Sequence, residues 1–171
     1  MENYQTERQM MKELTEYFAG EKQESLLFIA AGMIAICVGV WLWTNGHRLR
    51  FIAVPLVLVA VMQLVVGATV YLRTEGQVQG LITQSQSAPA QFKQGEVSRM
   101  QTVMKNFNIY KTIEMVLLVV GVGLIGFLQR FDVAAGIGAG LVLQAAFTLA
   151  LDMFAQARGQ DYLVALKGLV T

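Results

Sequence analysis

The chain is poor in the residues that carry covalent and metal chemistry. Of its 171 residues one is cysteine, Cys37, and one is histidine, His47. A lone cysteine excludes an intrachain disulfide and any cysteine-pair redox reaction. A lone histidine excludes bis-histidine haem ligation and most zinc sites within one chain. Charge is scarce too. Only 15% of residues are charged, where a soluble domain carries about 25%. Much of the surface must therefore face something other than water. Thirteen Lys and Arg against twelve Asp and Glu leave a formal charge of +1, which lacks the basic excess of a nucleic-acid binder.

What the chain has in place of these is apolar sequence, 55% of the total. Leu26–Trp43 holds no polar side chain, Phe51–Leu72 only Gln63 and Thr69, and Val133–Leu151 only Gln144 and Thr148. A shorter run, Met115–Leu128, reaches span length if Thr112 and Glu114 lie at an interface. A bilayer core of about 30 Å takes roughly 20 helical residues. A soluble bundle would show a polar stripe on each helix, and these runs are apolar all round. The expected fold is all-α and integral to the membrane, with spans at 26–44, 51–72, 112–130 and 133–156. Pro55 removes one backbone hydrogen bond from the second span and is expected to bend it near its outer end.

Segment 1–25 carries six Glu ahead of the first span, unlike the short basic lead of a secretory signal. The first span therefore reads as retained. Within this segment Met10, Met11, Leu14 and Phe18 recur at helical spacing, and Gly20 is placed to end an amphipathic N-terminal helix. Segment 73–111 is rich in glutamine and has its best turn signal at Ser85–Pro89. Val97, Met100, Met104 and Phe107 keep 3–4 spacing after it. The second helix should run on to about Ile82 and the third begin near Gln91, making a helical hairpin clear of the membrane. Gly76, Gly80 and Gly95 weaken it by about 1 kcal/mol each relative to Ala, so it is expected to be mobile unless held. Residues 157–171 read as a tail.

Ten of the thirteen cations lie in segment 1–25, the hairpin and the tail, whereas Arg48, Arg50 and Arg130 lie in the two short loops. The positive-inside rule then places both termini and the hairpin in the cytoplasm. Trp41 and Trp43 suit the outer interface, Tyr71 and Tyr110 the inner one. A bacterial inner membrane is the expected location.

Polar residues inside the spans are the candidate functional residues. Gly136, Gly140, Gln144, Thr148 and Asp152 recur every fourth position along the fourth span. Gly136 and Gly140 allow a close helix approach, and Gln144 and Gln63 share a depth at which two amides bond. Glu114 and Asp152 lie near the cytoplasmic end, with Arg73, Lys111 and Arg158 as available partners. Ala31, Ala35 and Gly39 make a small-residue row on the first span. Cys37 reads as a buried apolar residue and His47 as a loop residue.

No nucleophile–base set, phosphate loop, metal-ligand spacing or cofactor motif is present. The Gly136–Gly140 stretch lacks the strand a nucleotide loop requires. Cysteine pairs of thiol-oxidising membrane proteins and the large cysteine-bearing loop of tetraspanins are missing. The first span also lacks the acid essential to small multidrug transporters. The expected function is non-enzymatic: an accessory subunit or immunity-type protein that packs against another membrane protein, or against itself as a homo-oligomer. The Gly136/Gly140 row is its expected contact. The alternative is a small oligomeric channel or transporter that uses Gln63, Gln144, Thr148, Glu114 and Asp152 as a polar path.

Overall fold

A computed structural model of the chain describes residues 2–46 and 49–168, with side chains from residue 8 onward. His47 lies outside the described residues. Four long α-helices account for nearly all of it: α1 (Glu2–Asn45), α2 (Ala53–Ser87), α3 (Pro89–Leu128) and α4 (Asp132–Gly168). A single 3₁₀ turn, Leu49–Ile52, leads into α2. No strand occurs among the described residues. All four helices are long and apolar enough to cross a membrane. The helices pair as two antiparallel hairpins, α1 with α2 and α3 with α4. Helix α4 also packs on α1, α2 and the 3₁₀ turn.

Each helix has an apolar half and a polar half, so the bundle has two cores. One joins Ala35 and Leu42 of α1 to Ala53, Leu56 and Ala60 of α2. These are mostly small side chains, which let the helices approach closely. The other core lies at the far end. Met10, Leu14, Tyr17 and Phe18 of α1 meet Phe92, Met100 and Met104 of α3 and Tyr162, Leu163 and Leu166 of α4. Val78, Leu81 and Ile82 of α2 close its side. This second core has the large side chains of a water-soluble bundle, where burial of each contributes about 1.5–3 kcal/mol.

Several expectations change here. Helix α1 passes through Gly20 without ending, so segment 1–25 is the first half of one helix rather than a separate one. A Cβ at Gly20 would lie 2.6 Å from Nε of Arg158. The glycine is a notch for that side chain, not a cap. The expected tail at 157–171 is helical to Gly168 and supplies Tyr162, Leu163 and Leu166 to the core. Polar residues at 156, 158, 160 and 161 hid an apolar face that needed partners from α1 and α3 to be recognisable. The 73–111 hairpin does not stand alone, because the first half of α1 and the last of α4 pack on it. Helix α2 runs to Ser87 and α3 begins at Pro89, so the turn is Ala88 alone, with its N–H donating to the Gln84 carbonyl at 2.9 Å. Pro89 opens α3 at a position where a missing N–H costs nothing. Because α2 begins at Ala53, Pro55 falls in its first turn and removes no helical bond. Cys37 is exposed on the outside of the apolar half, not buried.

Candidate functional site

Polar side chains gather at three levels of the bundle. The deepest is the Gln63–Gln144 pair in the middle of the apolar half. Gln63 Nε2 donates to Gln144 Oε1 at 3.2 Å, and Gln144 Nε2 donates to the Leu56 carbonyl at 3.2 Å. Both residues are buried, at 3% and 5% exposure. Their contact is possible because α4 comes close to α2. A Cβ at Gly136 would meet Phe51 at 2.8 Å, and one at Gly140 would meet Pro55 at 2.5 Å and the Ile52 carbonyl at 2.7 Å. The expected outward use of this glycine row is thus corrected: it packs inside the chain, against the start of α2. The Ala31, Ala35 and Gly39 row also packs internally. Ala35 and Gly39 are buried and Ala31 is half-buried, and a Cβ at Gly39 would collide with Val57.

The second level is a waist where the apolar half ends. Thr148 continues the α4 row and returns its hydroxyl to the Gln144 carbonyl at 2.9 Å. Glu114 of α3 faces Thr148 and Asp152 of α4, and Asp152 faces Glu24 and Lys111. One Glu114 oxygen is buried with no hydrogen-bond partner. The expected cations go mostly elsewhere. Arg73 pairs with Glu21 at 3.2 Å, Lys22 with Glu75 at 3.5 Å, and Arg158 with Glu24. Only Lys111 remains beside Asp152. Burial pushes the Glu24 carboxyl above its ordinary value, against the pull of Arg158. Gln156 Nε2 donates to Asn108 Oδ1 at 3.0 Å, tying α4 to α3. The Lys22–Glu75 pair is solvent-facing and contributes about 0–1 kcal/mol, whereas the Glu21 and Glu24 side chains are largely buried. Together these pairs mark the waist on all four helices.

The third level is at the far end, and sequence reading missed it. Glu96 of α3 is buried at 2% exposure. Arg99 grips it with two bonds, Nε to Oε2 at 2.8 Å and Nη2 to Oε1 at 2.7 Å. Tyr162 of α4 donates its hydroxyl to Glu96 Oε1 at 3.1 Å. Tyr17 of α1 stacks on Tyr162 with ring centres 4.9 Å apart, and Arg99 lies 5.4 Å from the centre of the Phe18 ring. Burial works against the Arg99 charge, but its bonds to Glu96 outweigh this and hold its pKa above the ordinary value. Burial, reinforced by Glu21, pushes Tyr17 up to about 12, and burial with the Glu96 charge raises Tyr162 further. The available signal was Glu96 in the row Phe92, Glu96, Met100, Met104, where it alone is charged and all four are buried. A bidentate, hydrogen-bonded ion pair is the form in which a buried charge is tolerable.

Among the described residues no three of His, Cys, Asp and Glu converge in a set able to hold a metal ion. One hydrogen bond joins the two glutamines and leaves Gln63 Oε1 buried without a partner, while Glu96 and Arg99 are matched in place. These contacts hold the helices in register. Comparison with known proteins finds no match to the chain among protein families, curated proteins or solved structures.

Proposed function

We propose that the chain is a four-span membrane protein of the bacterial inner membrane, with both termini and the 73–111 hairpin in the cytoplasm. It acts as a non-enzymatic interaction partner, an accessory subunit or immunity-type protein, through helix packing in the bilayer. The observation that carries this is the unequal cover of the helices. Only 6% of the apolar stretch of α3 is buried, against 33% for α2. The bonded Gln63–Gln144 pair and the internal Gly136/Gly140 row support a packing role for the α4 residues, so the partner face moves from α4 to α3. There Gly123 and Gly126 have nothing within 4 Å of a would-be Cβ, beside exposed Val119, Val122 and Phe127. Glycines at such positions let another membrane helix approach closely.

The test compares two sets of leucine substitutions by complex size in nanodiscs and by thermal stability. Gly123→Leu and Gly126→Leu should shrink the complex and leave the melting temperature unchanged. Gly136→Leu should lower the melting temperature, because its side chain would strike Phe51. An intact complex in the first pair removes α3 as the partner face. The channel or transporter reading draws support from the buried Glu114 oxygen that has no hydrogen-bond partner and from Asp152 near the same carboxyl group. Cation flux into proteoliposomes that Glu114→Gln abolishes would favour it.

A further inference from the structure

A concave groove runs between α1 and α2 on the outside of the apolar half, at the end where a short loop joins them. Its volume is about 790 Å³, within the roughly 300–1,000 Å³ of small-molecule sites. Val40, Val54, Val57, Leu58, Val61 and Met62 make most of its wall. The polar exceptions are Thr44 and the indole of Trp43. The Thr44 hydroxyl is already donated to the helix carbonyls of Val40 and Trp41, at 3.0 and 3.1 Å. The lining therefore suits an apolar occupant.

Length and charge narrow the choice. The groove begins at Thr44 and Ala53 and stops at Met62, one residue short of the buried Gln63. The nine helical steps from Ala53 to Met62 at 1.5 Å each make about 13 Å, close to the roughly 15 Å of one leaflet of a bilayer core. Exposed Trp43 stands at the mouth, where indole rings meet lipid headgroups. Arg50 lies three residues before Ala53, in the 3₁₀ turn that enters α2. It is exposed, leans over its neighbour Phe51 at 4.7 Å, and makes no ion pair among the described residues. No Asp or Glu occurs anywhere between Glu24 and Glu75, so α1 and α2 bring no carboxylate to this end; Asp132, which opens α4 there, has an interaction of its own and makes no ion pair with Arg50 among the described residues. A guanidinium fork is matched to phosphate oxygens.

We propose that this groove is a binding site for one anionic glycerophospholipid of the bilayer, an acyl chain lying along α2 and its phosphate held at Arg50. The site rests on the membrane reading above and is independent of the α3 face.

The experiment places the full chain in nanodiscs of equal phosphatidylglycerol and phosphatidylcholine with identical acyl chains. Native mass spectrometry then counts lipids that survive release. One phosphatidylglycerol per chain should persist, favoured roughly fivefold over phosphatidylcholine, the factor expected of one arginine beside an anionic group. Arg50→Gln should bring the two lipids to parity. Val54→Trp, at an exposed wall position, should remove the retained lipid; Val61→Trp serves if that variant fails to fold. Absence of a retained lipid, or equal retention of both that neither variant alters, overturns the proposal. So does a dimer that Val54→Trp splits while no lipid is retained, since the groove would then hold a second copy. Failure of the membrane reading itself is separately visible: the chain would not float with phosphatidylcholine vesicles in alkaline carbonate.

Discussion

Gln63 and Gln144 illustrate what two matching side chains can do where water is absent. An amide buried among hydrocarbon has few alternatives to another amide, so 81 residues of separation do not prevent the 3.2 Å bond. Gln63→Leu and Gln144→Leu should each destabilise modestly, and the double variant should cost less than the two together. The expected coupling is about 0.5–2 kcal/mol, measured by reversible unfolding in detergent, and strict additivity would show that the bond contributes nothing. Glu96 is the opposite lesson. Its charge is tolerated because Arg99 and Tyr162 already hold both oxygens. The pairing of Glu96 with Arg99 at i and i+3 is visible in sequence, but the tyrosine from α4 is not. Local spacing cannot tell which of five tyrosines will arrive.

Helix α1 depends on both hairpins at its two ends. Its apolar half rests on α2, and its polar half is stapled to α4 through Tyr17 on Tyr162 and Arg158 over Gly20. The staple has a pH signature. Burial raises the Tyr17 pKa from 10.0 to about 12, so between these values the folded chain holds a proton that the unfolded chain has lost. The Tyr17 contribution to stability is therefore complete below pH 10 and disappears as pH rises toward 12. A two-unit shift corresponds to about 2–3 kcal/mol. The unfolding free energy of the wild type should fall across this window more steeply than that of Tyr17→Phe. Parallel curves would mean that Tyr17 ionises as freely in the folded chain as in the unfolded one.

The bundle as a unit has a direction. Its short-loop end is apolar and carries Trp41, Trp43, Arg50 and Phe127 on the surface, while its far end has a core of large side chains under a polar exterior. The waist of ion pairs lies between. On the proposed membrane topology the ten cations of the far-end segments face the cytoplasm and the three of the short loops do not. A cysteine replacing Pro89, with Cys37 removed, should resist a membrane-impermeant thiol reagent in intact cells, while one replacing Asn45 should react. The reverse pattern would invert the axis.

Helix type, the four apolar stretches and the turn near Pro89 were legible because each depends on neighbouring residues: hydropathy over some 20 positions, a proline that opens a helix, a break in periodicity. The depth match of Gln63 and Gln144 was legible for the same reason, since rise per residue converts position into height. Rotation of one helix against another is not local. Whether Gly136 and Gly140 face a partner or α2, whether Gly20 ends a helix or admits Arg158, and whether residues 157–168 trail or pack all depend on which helix stands alongside. Small residues are ambiguous in particular, because they have no side chain whose polarity announces its surroundings. The tertiary structure decided these points by bringing α4 against the other three helices, and so spent the α4 glycines within the chain and left those of α3 uncovered.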